Sequence, residues 1–259
     1  MTIATKKERV FYASISITGF LIIWYLAATL TALSRVLPQP HEVLISFFRG
    51  LYTPIGRHTL VVHTAHSLRR VFVGYGLSSV FGVTLGLAMA SNKWINAAVR
   101  PIFNLIRPIP GLAWIPMAIL WFGIGDQSMY FIIFMGGFAN VLINSYSGVN
   151  NVDPTLVGAA RLLGASRLQI FFNITIPSAT PYIFAGLQVS LSTSWMAVLA
   201  AEMISSHEGA GWIINVAMQT GNNTQILVGM IAIAIIGFTF ASGMRALERR
   251  LCAWAVQGR

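Results

Sequence analysis

Charged side chains are scarce in this sequence. Only 9% of its 259 residues are Asp, Glu, Lys or Arg, whereas 56% are hydrophobic and the mean hydropathy is +0.70. Soluble globular domains carry about 25% charged residues, so this composition cannot cover a water-facing surface. The scarcity excludes a soluble enzyme, a nucleic-acid-binding domain and a disordered chain. It predicts an all-α polytopic membrane protein with one integral domain.

Residue patterns for disulfide, nucleotide and metal chemistry are also lacking. The single cysteine, Cys252, excludes an intrachain disulfide framework. None of the three lysines follows a glycine-rich phosphate loop, so no nucleotide-binding pattern is present. His58, His63 and His66 lie close together, but no carboxylate stands among them, and we interpret them as polar residues on a water-exposed segment leading into a span. We expect no catalytic, cofactor-binding or metal-binding residues in this chain.

Long apolar segments are what the sequence does have, and six approach the length of about 20 residues that a transmembrane helix needs. They cover about 10–33, 71–91, 109–124, 129–147, 178–204 and 226–244. Pro108, Pro110 and Pro116 interrupt the third, which we expect to begin earlier. A shorter apolar segment, 209–218, fits a helix that lies at the interface or dips partway into the membrane. We expect a cytoplasmic tail at 1–9 and one transmembrane domain at 10–259, with its core at about 58–250.

Basic residues predict the orientation, because cytoplasmic loops of membrane proteins are enriched in Lys and Arg. With the N-terminus inside, the inner segments hold twelve such residues and the outer segments hold five. The inner residues are Lys6, Lys7, Arg9, Lys93, Arg100, Arg107, Arg161, Arg167, Arg245, Arg249, Arg250 and Arg259; the outer ones are Arg35, Arg49, Arg57, Arg69 and Arg70. Both termini and the loop 148–177 are therefore predicted to be cytoplasmic.

Polar side chains within the spans mark a candidate pathway or gate. These are Asn140, Asn144, Gln188, Ser190, Ser194 and Glu202. The dense polar run at 190–194 suggests a polar wall, although hydrogen bonding between packed helices explains it equally well. Glu202 is the one candidate for a charge buried in a span, which is too few for the proton relay of a typical secondary transporter.

The inner loop 148–177 contains the clearest local signals. Asp153 followed by Pro154 predicts a helix start, and Gly164 predicts its end. Ser166 can cap a second short helix. The small residues Gly158, Ala159 and Ala160 would let another protein approach closely, so we predict a docking site for a partner. The alternative is a tight turn that packs on its own membrane domain.

The same loop resembles a motif of a known family. It reads Gly158-Ala159-Ala160-x3-Gly164-x9-Ile174-x-Ile176-Pro177. This pattern is similar to the Glu-Ala-Ala-x3-Gly-x9-Ile-x-Leu-Pro loop of bacterial ABC importer permeases, with the same spacing. The segments 107–116, 120–125 and 200–204 resemble the nitrate/sulfonate/taurine branch of that family. Two departures are Gly158, where the family usually has Glu, and Ile176, where it has Leu.

The resemblance implies a type I ABC importer permease fold in the bacterial cytoplasmic (inner) membrane. It implies two cytoplasmic ATP-binding subunits that hold ATP and Mg²⁺, a second permease copy as a homodimer, and an extracytoplasmic substrate-binding protein. The chain itself would not be an enzyme. It would conduct a small anion. A sulfonate or taurine is the first candidate substrate, and nitrate or bicarbonate is the next. The alternative function is a self-sufficient secondary transporter or channel.

The resemblance also assigns a role to individual residues of the loop. Those expected to couple the permease to its ATPase are Asp153, Pro154, Gly158, Ala159, Ala160, Gly164, Ile174 and Pro177. Gly158 lacks the carboxylate that helps anchor the family's loop to the ATPase. This departure bears on how strongly the loop binds the ATPase, while the small residues and the helix ends needed for docking are present.

Overall fold

The chain folds into a bundle of α-helices, and the computed structural model describes residues 6–252. Within that range the only β-type pairing is an isolated bridge between Ile55 and His58. The α-helices are α1 (Lys6–Leu30), α2 (Pro40–Tyr52), α3 (Leu60–Ser91), α4 (Lys93–Ile106), α5 (Ile115–Phe122), α6 (Asp126–Asn150), α7 (Pro154–Leu162), α8 (Arg167–Ile170), α9 (Ile176–Ser205), α10 (Ala210–Thr220) and α11 (Asn223–Leu251). A π-helical turn, Phe171–Thr175, joins α8 to α9 without a break.

Helix α6 lies at the centre of the bundle, between α3 and α9. Glycines permit the close approach of α3: a Cβ atom added at Gly82 would lie 2.7 Å from the Cβ of Val141. A Cβ added at Gly86 would lie 2.7 Å from the carbonyl oxygen of Leu142. Small residues four positions apart allow helix backbones in a membrane to approach each other in this way. A larger side chain at either glycine would force α3 away from α6.

A second cluster of apolar residues holds the smaller helices against this core. Val43 of α2, Leu60 of α3, Ile213 of α10 and Val228 of α11 are buried together. By contrast, Ala28 is the one buried residue in the membrane-length part of α1, 10–30, and most of the others are exposed. A helix that is apolar on all sides and exposed in the single chain suits a lipid environment.

Contacts between the long helices define two ends of the bundle. At the end that we call the Arg70 end, Arg70 near the start of α3 bonds to Asp126 at the start of α6 and to Glu202 near the end of α9. At the other end, which we call the α7 end, Gly148 near the end of α6 contacts Tyr182 near the start of α9. Helices α3 and α6 therefore run in the same direction, and α9 runs against them.

The parallel course of α3 and α6 shows which segment forms the third expected span. Within residues 6–252, five helices are individually long and apolar enough to cross a membrane, and α4 with the segment Gly111–Phe122 qualifies as a pair bent by 86°. Because α3 ends at the α7 end and α6 begins at the Arg70 end, this pair must carry the chain across the bundle. Six crossings result, as expected, but the third is a broken helix with Pro108 and Pro110 at the break.

Two expected boundaries were wrong. The segment 92–107, expected as an inner loop, forms the helix α4, whose start is capped by the Asn92 side chain accepting from the backbone N–H of Trp94. The second span begins at Leu60, not near position 71. Its first turns contain histidines and arginines that hydropathy alone excludes from a span, and these side chains are paired with groups on α6, α9 and the 206–209 loop. Helix α1 is already helical at Lys6, and its membrane-length apolar part begins at Val10, where the first span was expected to begin.

Candidate functional site

The predicted docking loop forms two short helices at the α7 end. Helix α7 is exposed, and its apolar side chains Leu156 and Leu162 are 51% and 91% accessible. Leu163, just after it, is 88% accessible. A Cβ atom added at Gly158 would meet no atom within 4 Å. The loop therefore presents an apolar surface that the other described residues do not cover, contrary to the alternative of a turn packed on its own membrane domain.

Local hydrogen bonds shape this loop as its sequence predicts. The Asp153 carboxylate caps α7, accepting from the backbone N–H of Thr155 at 2.8 Å. The hydrogen bonds from Thr155, of which that backbone bond contributes most, hold the pKa of the Asp153 carboxyl below its usual value. Ser166 and Gln169 form a reciprocal capping box at the start of α8. Pro177 lies in the first turn of α9, and Ile174 lies half-buried in the π-helical turn before it.

Gly164 ends α7 in the left-handed conformation, with φ of +80°. The backbone N–H of Gly164 donates to the carbonyl of Arg161, and that of Ala165 donates to the carbonyl of Ala160, both at 3.0 Å. This pair of bonds is a Schellman motif, in which the left-handed residue is usually glycine. The expected helix end at Gly164 is confirmed, and the backbone there turns the chain back toward the bundle.

A buried ion-pair cluster lies at the Arg70 end. The Arg70 side chain is 3% exposed and meets three carboxylates. Its Nε donates to Asp126 Oδ1 at 2.7 Å, and its Nη1 donates to Glu202 Oε1 at 2.9 Å. Its Nη2 donates to Glu208 Oε1 at 3.1 Å. Arg69, which is 58% exposed, also pairs with Asp126. The cluster ties α3, α6, α9 and the 206–209 loop together at one point.

The same cluster caps the start of α10, whose N-cap residue Gly209 has no side chain. The backbone N–H of Gly209 donates to His63 Nδ1 at 3.0 Å, and that of Ala210 donates to Ser67 Oγ at 2.9 Å. The N–H of Gly211 donates to Glu202 Oε2 at 3.0 Å. Side chains from other helices thereby satisfy the free N–H groups of the first turn, and the Glu202 carboxylate also suits the positive end of the helix dipole.

Of the predicted pathway residues, Ser190 and Ser194 are fully buried between helices. Ser190 Oγ lies 3.4 Å from Ser78 Oγ of α3, and Ser194 Oγ donates to the carbonyl of Ile133 on α6. An added Cβ at Gly137 would touch both serines. In the single chain these two hydroxyls therefore bond between packed helices, and they reach a pathway only if α6 and α9 move apart.

The other pathway candidates are partly accessible or belong to the ion-pair cluster. Asn140 Nδ2 donates to Thr193 Oγ1 at 3.3 Å, and Asn144 Nδ2 donates to the carbonyl of Asn140 at 2.8 Å. Gln188 Nε2 donates to Glu248 Oε2 of α11 at 2.6 Å. Glu202 is fully buried in the cluster around Arg70. The six candidates therefore do not share one hydrogen-bonded cluster: Ser190 and Ser194 face α3 and α6, Gln188 bonds to α11, and Glu202 belongs to the ion-pair cluster.

Sequence reasoning missed the partners of Glu202 and of the histidines. It placed Arg70 in an outer loop and found no carboxylate near His58, His63 and His66. The structure brings Glu208 to two of them: His66 Nδ1 lies 3.0 Å from Glu208 Oε1, and His58 Nε2 lies 3.6 Å from Glu208 Oε2. The available signal was the spacing of His63 and Arg70. They are seven positions apart, so they lie on the same face of a helix.

Known proteins resemble this chain in both sequence and fold. Residues 81–252 match the model of the family described as binding-protein-dependent transport system inner membrane component. The taurine transport system permease protein TauC of Escherichia coli strain K12 is 36% identical, over 90% of this chain and 86% of that protein. The nitrate import permease protein NrtB of Synechocystis is 32% identical, over 93% of this chain and 89% of that protein.

A solved structure shares the fold. A chain of the MetNI methionine ABC transporter, in an inward-facing conformation, superposes with a TM-score of 0.63 at 20% sequence identity. The match covers 74% of this chain and 95% of that chain. The predicted type I ABC importer permease architecture is thereby confirmed.

Proposed function

The chain belongs to the family of inner membrane components of binding-protein-dependent transport systems, in the branch that includes taurine and nitrate permeases, and from that membership we propose how it works. It is the permease subunit of an ABC importer. Two copies form the pathway for a small anion, with taurine or another sulfonate first and nitrate or bicarbonate next. The matching family and relatives are components of transport systems, which supports this function over a self-sufficient carrier or channel.

The exposed loop at the α7 end is the observation that carries the proposal. Its leucines are uncovered by the part of the chain that the structure describes, and exposed apolar patches of this kind mark surfaces that bind other proteins. Helix α7 is joined to α6 by a tight turn, and the helical segment Arg167–Ser205 continues from α8 through α9. A displacement of α7 by a bound partner would therefore act directly on two central helices of the bundle.

The bound partner at this surface is a cytoplasmic ATP-binding subunit, one for each permease copy. Those subunits hold ATP and Mg²⁺ and hydrolyse the nucleotide, while this chain binds no cofactor. Their closure would push on α7, and the central helices would alternate between inward-open and outward-open arrangements. An extracytoplasmic binding protein would deliver the anion at the Arg70 end, and both termini and α7 would then lie in the cytoplasm.

The anion pathway is proposed to follow the polar groups of α6 and α9 that remain partly accessible. Asn140, Asn144 and Gln188 offer amide groups that can donate to an oxyanion. Ser190, Ser194 and Glu202 lie along the same helix as Gln188 and would act when the helices separate, with Glu202 holding an outer gate through Arg70. Neutral donors suit a conduit, because a fixed cation in the pathway would retain the anion.

Transport by the reconstituted assembly tests this function. Permease and ATPase are placed in liposomes with ATP inside, and the binding protein and labelled taurine are added outside. We expect uptake of labelled taurine that requires all three proteins and ATP. Excess unlabelled taurine should reduce this uptake more than excess nitrate or bicarbonate does. Thermal-shift screening of the binding protein against the same anions identifies the preferred one independently. Uptake by the permease alone would instead support a self-sufficient carrier.

A further inference from the structure

Two histidines and a glutamate converge at the Arg70 end, and we propose that His58, His66 and Glu208 form a binding site for Zn²⁺ or a similar divalent transition-metal ion. One ligand atom from each of the three lies within 4.8 Å of those of the other two. Imidazole nitrogens and a carboxylate oxygen are the ligands that such ions take in open protein sites. The site shares Glu208 with the Arg70 cluster, so it lies beside the proposed outer gate at Glu202 and at the opposite end of the bundle from the α7 surface.

Each histidine nitrogen lies near one of the two Glu208 carboxylate oxygens, at a separation close to that of neighbouring ligand atoms around zinc. Bonds of about 2.0–2.1 Å place the ligand atoms of tetrahedral zinc roughly 3.3–3.4 Å apart. His66 Nδ1 lies 3.0 Å from Glu208 Oε1, and His58 Nε2 lies 3.6 Å from Glu208 Oε2. The side chains of all three are 27–38% exposed, so an ion can enter from solvent. Three protein ligands leave the fourth position for water.

Neighbouring residues hold the glutamate in place and exclude the third histidine. Arg70 Nη2 donates to Glu208 Oε1 at 3.1 Å, and a bonded neighbour of this kind orients a metal-binding carboxylate. His63 is fully buried, with Nδ1 accepting from Gly209 and Nε2 bonded to the carbonyl of Ile55 at 2.9 Å. Both of its ring nitrogens are occupied, so His63 has a structural role and is not a ligand.

The bound ion would join three parts of the chain that are otherwise connected by weaker bonds. His58 precedes α3, His66 lies on the first turns of α3, and Glu208 lies between α9 and α10. Coordination would therefore fasten the connection between α9 and α10 to the start of α3, next to the Arg70 cluster. The ion would stabilise the arrangement of the Arg70 end that the structure shows.

Zinc binding by the purified protein tests the proposal. The permease, alone in detergent, carries a tag free of histidine and the change Cys252→Ser, so that neither a tag nor the thiol supplies a ligand. Equilibrium dialysis against Zn²⁺ should give one ion per chain. The variants His58→Gln and His66→Gln should each weaken binding by at least about tenfold, which is the scale expected for loss of supporting groups at a metal site.

Matched controls come from the two exposed histidines outside the cluster. His207→Gln, next to Glu208 in the chain, and His41→Gln on α2 should leave zinc binding unchanged. The absorption of Co²⁺ added to the unaltered site should show the strong visible bands of tetrahedral coordination, which does not depend on any variant folding. Absence of bound Zn²⁺ and of those bands at excess metal, or equal loss in the His207 and His58 variants, would overturn the proposal.

Discussion

Arg70 is the side chain on which the ion-pair cluster depends. It is almost fully buried, and it bonds to the carboxylates of Asp126, Glu202 and Glu208. Glu202 is wholly buried, so removal of Arg70 leaves a charge without compensation in the interior. Charges buried as a pair are costly to separate, because the remaining ion has lost both water and its partner.

The adjacent arginines make a matched pair of variants. Arg70→Ala should lower the free energy of unfolding by about 3–5 kcal/mol, the usual cost of leaving one member of a buried pair alone. Arg69→Ala removes an exposed partner of Asp126 and should cost about 0–1 kcal/mol. Denaturant unfolding of the purified protein in detergent measures both. Equal losses in the two variants would contradict a special role for burial at Arg70.

Glu202 offers a test of the proposed outer gate. Glu202→Gln keeps the side-chain shape and one accepting oxygen but removes the charge, while Arg70 retains Asp126 and Glu208. We expect reduced anion uptake in an assembly of normal abundance. Ser205→Ala, at a neighbouring buried position whose hydroxyl bonds only within α9, serves as the control. Unchanged uptake rate and affinity in Glu202→Gln would remove the gate role.

Helix α7 ends at Gly164, whose backbone adopts the left-handed conformation. Gly164→Val places a β-branched side chain at φ of +80°, which should cost about 1 kcal/mol or more. Gly221→Val provides the control, because Gly221 ends α10 with φ of +70° and an added Cβ there meets no atom within 4 Å, so it carries the same backbone strain outside the docking loop. We expect Gly164→Val to reduce binding-protein-stimulated ATP hydrolysis coupled to transport. Normal coupled transport in both variants would show that the turn is dispensable.

The surface of α7 can be tested separately from its end. Ala160→Trp adds a large side chain to the small-residue face without requiring a positive φ, so it should obstruct the ATPase directly. Membrane insertion should persist, while co-purification of the ATPase falls. Gly158→Glu, which introduces the carboxylate of the family motif at an open position, should preserve or strengthen that co-purification. Normal stoichiometry and transport with Ala160→Trp would show that the loop is only a linker.

At the scale of the whole molecule, the bundle has two distinct ends, and its orientation in the membrane can be measured. Asn151→Cys in a Cys252→Ser background should resist impermeant thiol reagents added to intact cells, because it lies at the α7 end. Cysteines at Thr5 and Gln257, which lie outside the described residues, should resist as well. Thr53→Cys, exposed between α2 and α3, should react. Ready labelling at position 151 would overturn the proposed orientation.

Local rules explain why much of the molecule was predictable. Hydropathy depends on composition over about 20 residues, so six crossings were found although one is bent at prolines. Caps depend on residues within one turn, so Asp153, Gly164 and Ser166 were placed correctly. Hydropathy failed at the start of α3, since it cannot recognise a charged side chain whose partner lies elsewhere in the chain.

The sequence by itself determined the membrane class, the number of crossings and the capped loop, because each follows from residues close together in the chain. Only the tertiary structure decided which charges meet. Arg70 and Glu202 are 132 positions apart, and Arg70 and Glu208 are 138 apart. Their pairing depends on the parallel course of α3 and α6 and on the antiparallel return of α9. The same packing places the Glu208 carboxylate beside His58 and His66, because a helical bundle brings together helix ends that are far apart in the sequence.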